Sequence, residues 1–250
     1  MAKKARTPTP PRKVQAPKRR DQPRAPKAPV DRSRLYLYAI GGSGIVGLVA
    51  VIIVLAVVVG GGGGGKPVST AQVAAVMRAA GCTFTTVPSH RYPKGGGSLH
   101  ISKITDKVTY NSYPPSSGYH FPTPAIWNEY SQPVNPKLVV HNEEHGGIVV
   151  WYGEKVSSAN LRKIDQFYEE SPNAIVVTPL VDTFPGITYP PHKPLGSRIA
   201  LTAWDAPSGV GKGIVTICPR VNVKAFEKFR DAFRGHGPER FPVNILTPGS

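Results

Sequence analysis

The pattern of apolar and polar positions predicts a mixed α/β domain in the second part of this chain. Apolar side chains recur every three to four positions in three segments, which predicts amphipathic helices over residues 69–80, 157–170 and 223–233. Runs of β-branched and aromatic residues predict short strands within 98–110 and longer ones over 137–140, 148–152, 174–178 and 198–204. The strand–helix–strand order between residues 148 and 178 favours a parallel crossover. We therefore expect an α/β or α+β fold, in which one compact domain holds a mixed sheet and about three helices.

A different pattern precedes this domain. Residues 35–59 carry no charge and are almost wholly aliphatic from Ile45 onward. About 20 apolar residues suffice to cross a bilayer as a helix, so this segment predicts one transmembrane helix. Twelve Lys and Arg residues precede it within residues 1–34, whereas Lys66 alone lies close to its other end. This asymmetry predicts a single-pass protein of the cell membrane, with a cytoplasmic N-terminus and an extracytoplasmic domain.

The tail of residues 1–34 is predicted to be disordered and basic. Its twelve Lys and Arg residues against two Asp give a net charge of +10, and it is rich in proline. Such a tail is attracted to anionic lipid headgroups, which we expect to be its partner. We expect no nucleic-acid binding, because the tail has no aromatic residue before Tyr36 on which a base could stack. The sequence identifies no protein partner.

Composition sets the remaining boundaries and the redox state. Residues 60–66 form a glycine linker, residues 67–241 the extracytoplasmic domain and residues 242–250 a C-terminal tail. The chain has two cysteines, Cys82 and Cys218. Outside the membrane such a pair favours a disulfide, with two buried free thiols as the alternative.

The densest group of ionisable side chains lies between two predicted strands. It comprises His141, Glu143, Glu144 and His145, and two glycines follow it. A shared metal ion is a common reason for such groups to lie together. On a helix His141, Glu144 and His145 would share a face, as in the H-x-x-E-H pattern of inverted zinc peptidases, in which the glutamate is the catalytic base.

The flanking strands leave no room for the long helix of those peptidases. In an extended chain, His141, Glu143 and His145 would share a face instead. A turn that is braced by hydrogen bonds among these side chains is the alternative to a metal site.

A second stretch, residues 110–120, is an irregular loop rich in Pro and Ser that ends at His120. Together the two stretches resemble the signature of the bacterial domain-of-unknown-function family 3105, on the motifs Tyr113-Pro114-Pro115-Ser116-Ser117-Gly118-x-His120 and Val140-His141-x-x-Glu144-His145-Gly146-Gly147. The resemblance covers roughly residues 75–205. It includes the step Trp127-x-x-Tyr130, although Asn128 stands where the family often has glycine.

This resemblance implies a membrane-anchored protein in which four residues act together: His120, His141, Glu144 and His145. It implies no activity. It favours Glu144 over Glu143, which a turn that carries Glu144 beside both histidines would explain. The other histidines that we considered lack partners at ligand spacing and are expected to be exposed or packed in the core: His90, His100, His192 and His236.

Two functions of different classes follow. The first is an extracytoplasmic His/Glu site for a divalent metal, zinc or copper(II) in first place, with His120, His141 and His145 as ligands and Glu144 as the fourth ligand. If the site is hydrolytic, Glu144 would instead be the general base beside an open coordination position. The second function is a non-catalytic interaction module at the membrane, in which the same residues only brace two loops.

Overall fold

The computed structural model of the chain describes residues 68–90, 98–207 and 211–250. The predicted basic tail, apolar segment and glycine linker lie outside these residues. None of the helices in the three described ranges has the length and hydropathy that a membrane span requires.

Four α-helices and seven strands lie in this described part of the chain. The helices are α1 (Thr70–Ala79), α2 (Pro136–Glu144), α3 (Ser158–Glu170) and α4 (Val223–Phe233). The strands are β1 (Thr83–Pro88), β2 (Val108–Thr109), β3 (Ile148–Tyr152), β4 (Ile175–Pro179), β5 (Ile187–Thr188), β6 (Ile199–Asp205) and β7 (Lys212–Cys218). A 3₁₀ turn follows at Val243–Ile245.

Five strands form a mixed sheet in the order β1-β7-β6-β3-β4. β3 and β4 are parallel, with Val150 opposite Val177, and the other three pairings are antiparallel. The parallel pair is joined through α3, which confirms the crossover predicted from the sequence. The short strands β2 and β5 form a separate parallel pair.

Both faces of the sheet are covered, which explains why all five residues of β3 are buried. On one face, Ile148 and Val150 belong to an apolar cluster that includes residues of α1, α3 and α4. On the other face, Val149 and Trp151 pack among the long segment before α2 and the first turns of α2 itself. This second face carries the candidate site, since α2 and the residue that follows it hold the histidines and glutamates of the densest motif.

Three helices lie where the apolar periodicity predicts them, and side-chain caps explain where they begin. The hydroxyl of Ser69 accepts the backbone N–H of Gln72 at 3.3 Å, and the Gln72 side chain accepts the backbone N–H of Ser69 at 2.8 Å. Ser157 caps α3 and Asn222 caps α4 in the same manner, each accepting from a backbone N–H three residues on.

The strand predicted over residues 137–140 is wrong, because this segment is the first part of α2. The side chain of Asn135 accepts the backbone N–H of Lys137 at 3.0 Å, and Pro136 follows at the first helical turn, where its missing N–H costs nothing. The β-branched residues Val139 and Val140 suggest a strand, but the Asn135 cap and the Pro136 that follows it favour the helix. This is the fourth helix, beyond the three expected.

Two further strands, β1 and β7, were not predicted, and they form the edge of the sheet beside β6. They start and end at the two cysteines: Cys82 precedes β1, and Cys218 ends β7. The two residues form a disulfide, with a Cα–Cα distance of 4.2 Å, and both are buried. The prediction of a disulfide is therefore confirmed.

We expect the double substitution Cys82→Ser/Cys218→Ser to lower the free energy of unfolding by about 2–4 kcal/mol, because the bond closes a loop across a separation of 136 positions. Chemical denaturation with and without reductant measures this. Reductant should destabilise the wild-type chain and leave the double variant unchanged. Equal stability of the two chains under oxidising conditions would contradict the expectation.

Candidate metal centre

Helix α2 places three ionisable side chains on one face. His141, Glu144 and His145 stand three and four positions apart, so they project from the same side of the helix. The helix ends at Glu144, His145 is its C-terminal cap, and the next residue, Gly146, has a φ of +92°, the left-handed conformation that glycine adopts after helix ends. A Cβ on Gly147 would lie 2.6 Å from the ring of Trp127, so this close approach also requires glycine.

Two further segments, which meet in a strand bridge, bring two more histidines to this face. Residues His100 and His120 form an isolated parallel β-bridge, in which Ile101 N–H donates to the His120 carbonyl at 2.8 Å and His120 N–H donates to the Leu99 carbonyl at 3.1 Å. The bridge fixes the two imidazoles side by side, with ring centroids 4.9 Å apart. The ring of His100 also stacks on His141 at 5.0 Å.

One carboxylate oxygen, Oε2 of Glu144, lies at the centre of the three imidazoles. It is 2.9 Å from Nε2 of His120, and it is 3.5 Å and 3.9 Å from Nε2 of His100 and His141. The four ligand atoms all lie within 4.8 Å of one another. Around a tetrahedral zinc ion the ligand atoms lie about 3.3 Å apart, given bonds of about 2.0–2.1 Å. The cluster therefore needs only small side-chain movements to surround such an ion.

Backbone carbonyls orient two of the imidazoles. Nδ1 of His120 lies 2.7 Å from the Gly118 carbonyl, and Nδ1 of His141 lies 2.8 Å from the Phe121 carbonyl. A carbonyl only accepts, so we assign the hydrogen of each ring to Nδ1. In the neutral ring the lone pair is then on Nε2, which faces Glu144. Two acceptors at 2.9 Å require a proton or a metal cation between them, and metal-binding histidines are commonly held in this manner.

Burial keeps the neighbouring imidazoles neutral. Desolvation lowers the pKa of His141 from 6.5 to about 4, against the opposing effect of the Phe121 carbonyl. Desolvation also lowers the pKa of His145, although the charge of Glu144 partly offsets it. A neutral imidazole is the form that binds a metal ion. His141 is therefore ready to act as a ligand at neutral pH.

Of the four residues predicted from the sequence, three lie in one set and the fourth lies in an overlapping set, and His100 and Glu239 join them. His120, His141 and Glu144 lie in the inner cluster, while His145 lies in a second set with His141, Glu144 and Glu239. The expectation that His100 lacks partners is wrong, because a strand bridge, rather than sequence spacing, supplies them. Glu239 was not singled out, and no sequence signal connects it to residues almost a hundred positions earlier.

Glu143 lies in a different environment from Glu144. It is fully buried, and within the described residues neither of its carboxyl oxygens has a partner with hydrogen-bond geometry. Desolvation raises its pKa well above the usual 4.5, and the nearby Thr202 hydroxyl offsets part of this effect. The oxygen of that hydroxyl accepts the indole N–H of Trp151 at 2.8 Å, which leaves its own hydrogen free to donate. Glu143 is therefore protonated more readily than a solvent-exposed carboxylate, and it faces none of the imidazoles of the cluster at bonding distance.

A family model matches the part of the chain that contains this cluster. The family described as "Protein of unknown function (DUF3105)" matches the chain over residues 100–240, more than half of its length. The matched range contains all six residues of the two sets. No curated protein and no solved structure matches the chain.

We expect Glu143→Gln to stabilise the chain more at pH 8 than at pH 5. A folded-state pKa above the usual 4.5 means that Glu143 favours folding below pH 4.5 and loses this contribution as the pH rises toward the folded-state pKa. Glutamine has no such dependence, so the difference in free energy of unfolding should grow with pH by at most about 1.4 kcal/mol per unit.

Denaturant unfolding of both chains between pH 5 and pH 8 measures this difference. The control is Glu154→Gln at an exposed carboxylate, for which we expect little change. A difference between wild type and Glu143→Gln that stays constant with pH would contradict the prediction.

Proposed function

This chain belongs to the family of unknown function DUF3105, and on the geometry of its His/Glu cluster we propose that it binds one divalent transition-metal ion. The ligands are Nε2 of His100, His120 and His141 together with a carboxylate oxygen of Glu144. The convergence of three imidazole nitrogens on the single oxygen Oε2 of Glu144 is the observation that carries this proposal.

The set of ligand atoms favours zinc. Three imidazole nitrogens and one carboxylate oxygen suit zinc in tetrahedral coordination, whereas copper(II) prefers a square-planar or tetragonal arrangement and ranks second. Thiolate does not contribute, since both cysteines of the chain form the disulfide. Glu144 is almost fully buried and faces the imidazoles, a position that suits a ligand better than a general base acting on a substrate.

We also propose that the domain is held at the outer face of the cell membrane. The support is the sequence of residues 1–59: an uncharged apolar segment of 25 residues follows a tail with twelve basic residues. Each Lys or Arg near an anionic surface contributes about 1 kcal/mol, so the tail would bind the lipid headgroups of the inner leaflet. The metal site would then be exposed to metal ions outside the cytoplasm.

The first test is metal binding by the full chain, purified in detergent without a histidine tag. We expect one zinc per chain by elemental analysis, and a stabilisation of about 2.7 kcal/mol when free zinc is about one hundred times the Kd. His120→Asn, His141→Asn and Glu144→Gln should each weaken binding about tenfold or more.

The matched control is His192→Asn, at an exposed histidine outside both sets, which should bind zinc as the wild type does. Absence of stoichiometric metal, together with a melting temperature that zinc leaves unchanged, would overturn the metal proposal. That result would favour the interaction module, in which the cluster only braces the two segments.

The second test concerns the anchor. We expect the full chain to stay with the membrane fraction after an alkaline wash, and a chain that lacks residues 35–59 to be released. In cells whose wall or outer membrane has been removed and whose inner membrane is intact, added protease should degrade the domain and spare an epitope at the N-terminus. Recovery of the full chain in the soluble fraction would contradict the proposal.

A further inference from the structure

A second set of ligand atoms overlaps the inner cluster and continues it toward the solvent. This set contains His141, Glu144, His145 and Glu239. It shares His141 and Glu144 with the inner set, so the two sets are not independent sites. The exposed fraction of the side chains rises along the set, from 1% at Glu144 and 5% at His141 to 15% at His145 and 40% at Glu239.

Short contacts join these side chains in one line. Nε2 of His141 lies 2.9 Å from Nε2 of His145, and the latter atom lies 3.0 Å from Oε2 of Glu239. Nε2 of His145 therefore faces two acceptors, a lone pair on His141 and a carboxylate on Glu239. One N–H cannot form a full hydrogen bond with both, whereas a cation between the three atoms would satisfy all of them.

The position of Glu239 is fixed by the backbone rather than by chance contact of a mobile side chain. Residues 235–241, which we call the C-terminal strap, lie against the end of α2. Gly235 N–H donates to the Gly146 carbonyl at 2.8 Å, and Glu239 N–H donates to the Glu144 carbonyl at 3.1 Å. A Cβ at Gly237 would overlap the Glu144 carbonyl, so this approach depends on glycine.

The same strap holds the ring of His145. Phe241 places its ring 4.3 Å from that imidazole, between centroids. His145 is thus fixed between His141 on one side and the strap on the other. Near the surface, His145 and Glu239 thus bring their ligand atoms directly beside the inner set.

We infer that His145 and Glu239 form an outer position through which a divalent cation enters and leaves the inner site. This inference rests on the proposed function of the inner cluster. The single lone pair on Nε2 of His141 binds one ion at a time, so the two positions are alternatives and one ion moves between them. His141 and Glu144, which belong to both sets, stay within reach of the ion while His145 and Glu239 are exchanged for His100 and His120.

This route avoids full dehydration of the ion in a single step, which would be costly in free energy. An ion that moves from water into a buried site loses its hydration, and the penalty is large unless ligands replace the water as it leaves. Exchange of one ligand at a time along the line replaces each lost contact. The carboxylate of Glu239, being the most exposed of the four, would attract the hydrated cation first.

The experiment measures the rates and the equilibrium of zinc exchange separately in the full chain. Stopped-flow mixing with a chromophoric chelator gives the rate of zinc release, mixing of metal-free chain with zinc gives the rate of uptake, and competition with the same chelator gives the Kd. The variants are Glu239→Gln and His145→Gln. The control is Glu154→Gln, which removes the same charge at an exposed carboxylate outside both sets.

We expect both variants to slow uptake and release about tenfold, with a Kd within about a factor of two of the wild type. Uptake and release must slow equally, because loss of the outer position raises the free-energy barrier to exchange and leaves the free energies of the bound and free states unchanged. The control should exchange zinc at the wild-type rate.

Two results would overturn the inference and leave the metal site standing: exchange at the wild-type rate in both variants, or a Kd weakened as much as in His120→Asn. The second result would assign His145 and Glu239 to the resting site. Failure of the wild-type chain to bind zinc would instead remove the proposed function itself, and the inference with it.

Discussion

The carboxylate of Glu144, buried among imidazoles, is the constraint on which the rest of the site depends. A buried carboxylate is costly unless positive charge or hydrogen-bond donors surround it. Here the backbone carbonyls of Gly118 and Phe121 hold the Nδ1 hydrogens of His120 and His141, so the rings turn their Nε2 atoms toward Glu144. In this arrangement either a proton or a cation between Nε2 of His120 and Oε2 of Glu144 would stabilise the buried carboxylate, and a cation is the species that the proposed function places there.

The fold meets this constraint with rigid elements. One turn of α2 sets the spacing of His141, Glu144 and His145, and a strand bridge sets that of His100 and His120. The two elements pack together, since Leu99 beside the bridge and Val140 of α2 share an apolar cluster with Trp204 of β6. The glycine pair that follows His145 lets the chain turn directly into β3.

The sequence predicts part of the local structure and part of the site, and it misses β1, β7 and α2. Amphipathic periodicity located α1, α3 and α4 because each helix buries one face, and the resemblance brought His120 together with the motif of α2. The periodicity did not locate α2, because Val139 and Val140 favour a strand, whereas the side-chain cap of Asn135 and Pro136 in the first turn begin a helix. The sequence does not reveal that His100 and Glu239 lie at the site. A strand bridge and the C-terminal strap place them there, and such contacts leave no periodic pattern in a single sequence.

The choice between the two adjacent glutamates depends on whether the chain is helical or extended at this point, which side-chain spacing alone does not decide. In an extended chain Glu143 would have shared a face with the histidines, but on a helix adjacent residues point about 100° apart. Glu144 therefore meets the imidazoles, and Glu143 meets the sheet beside Thr202. Both are buried, yet their physical roles differ: burial favours the protonated form of Glu143, whereas Glu144 has the ligand geometry that a cation requires. The helix, by separating the two directions, decides which of the two carboxylates faces the imidazoles.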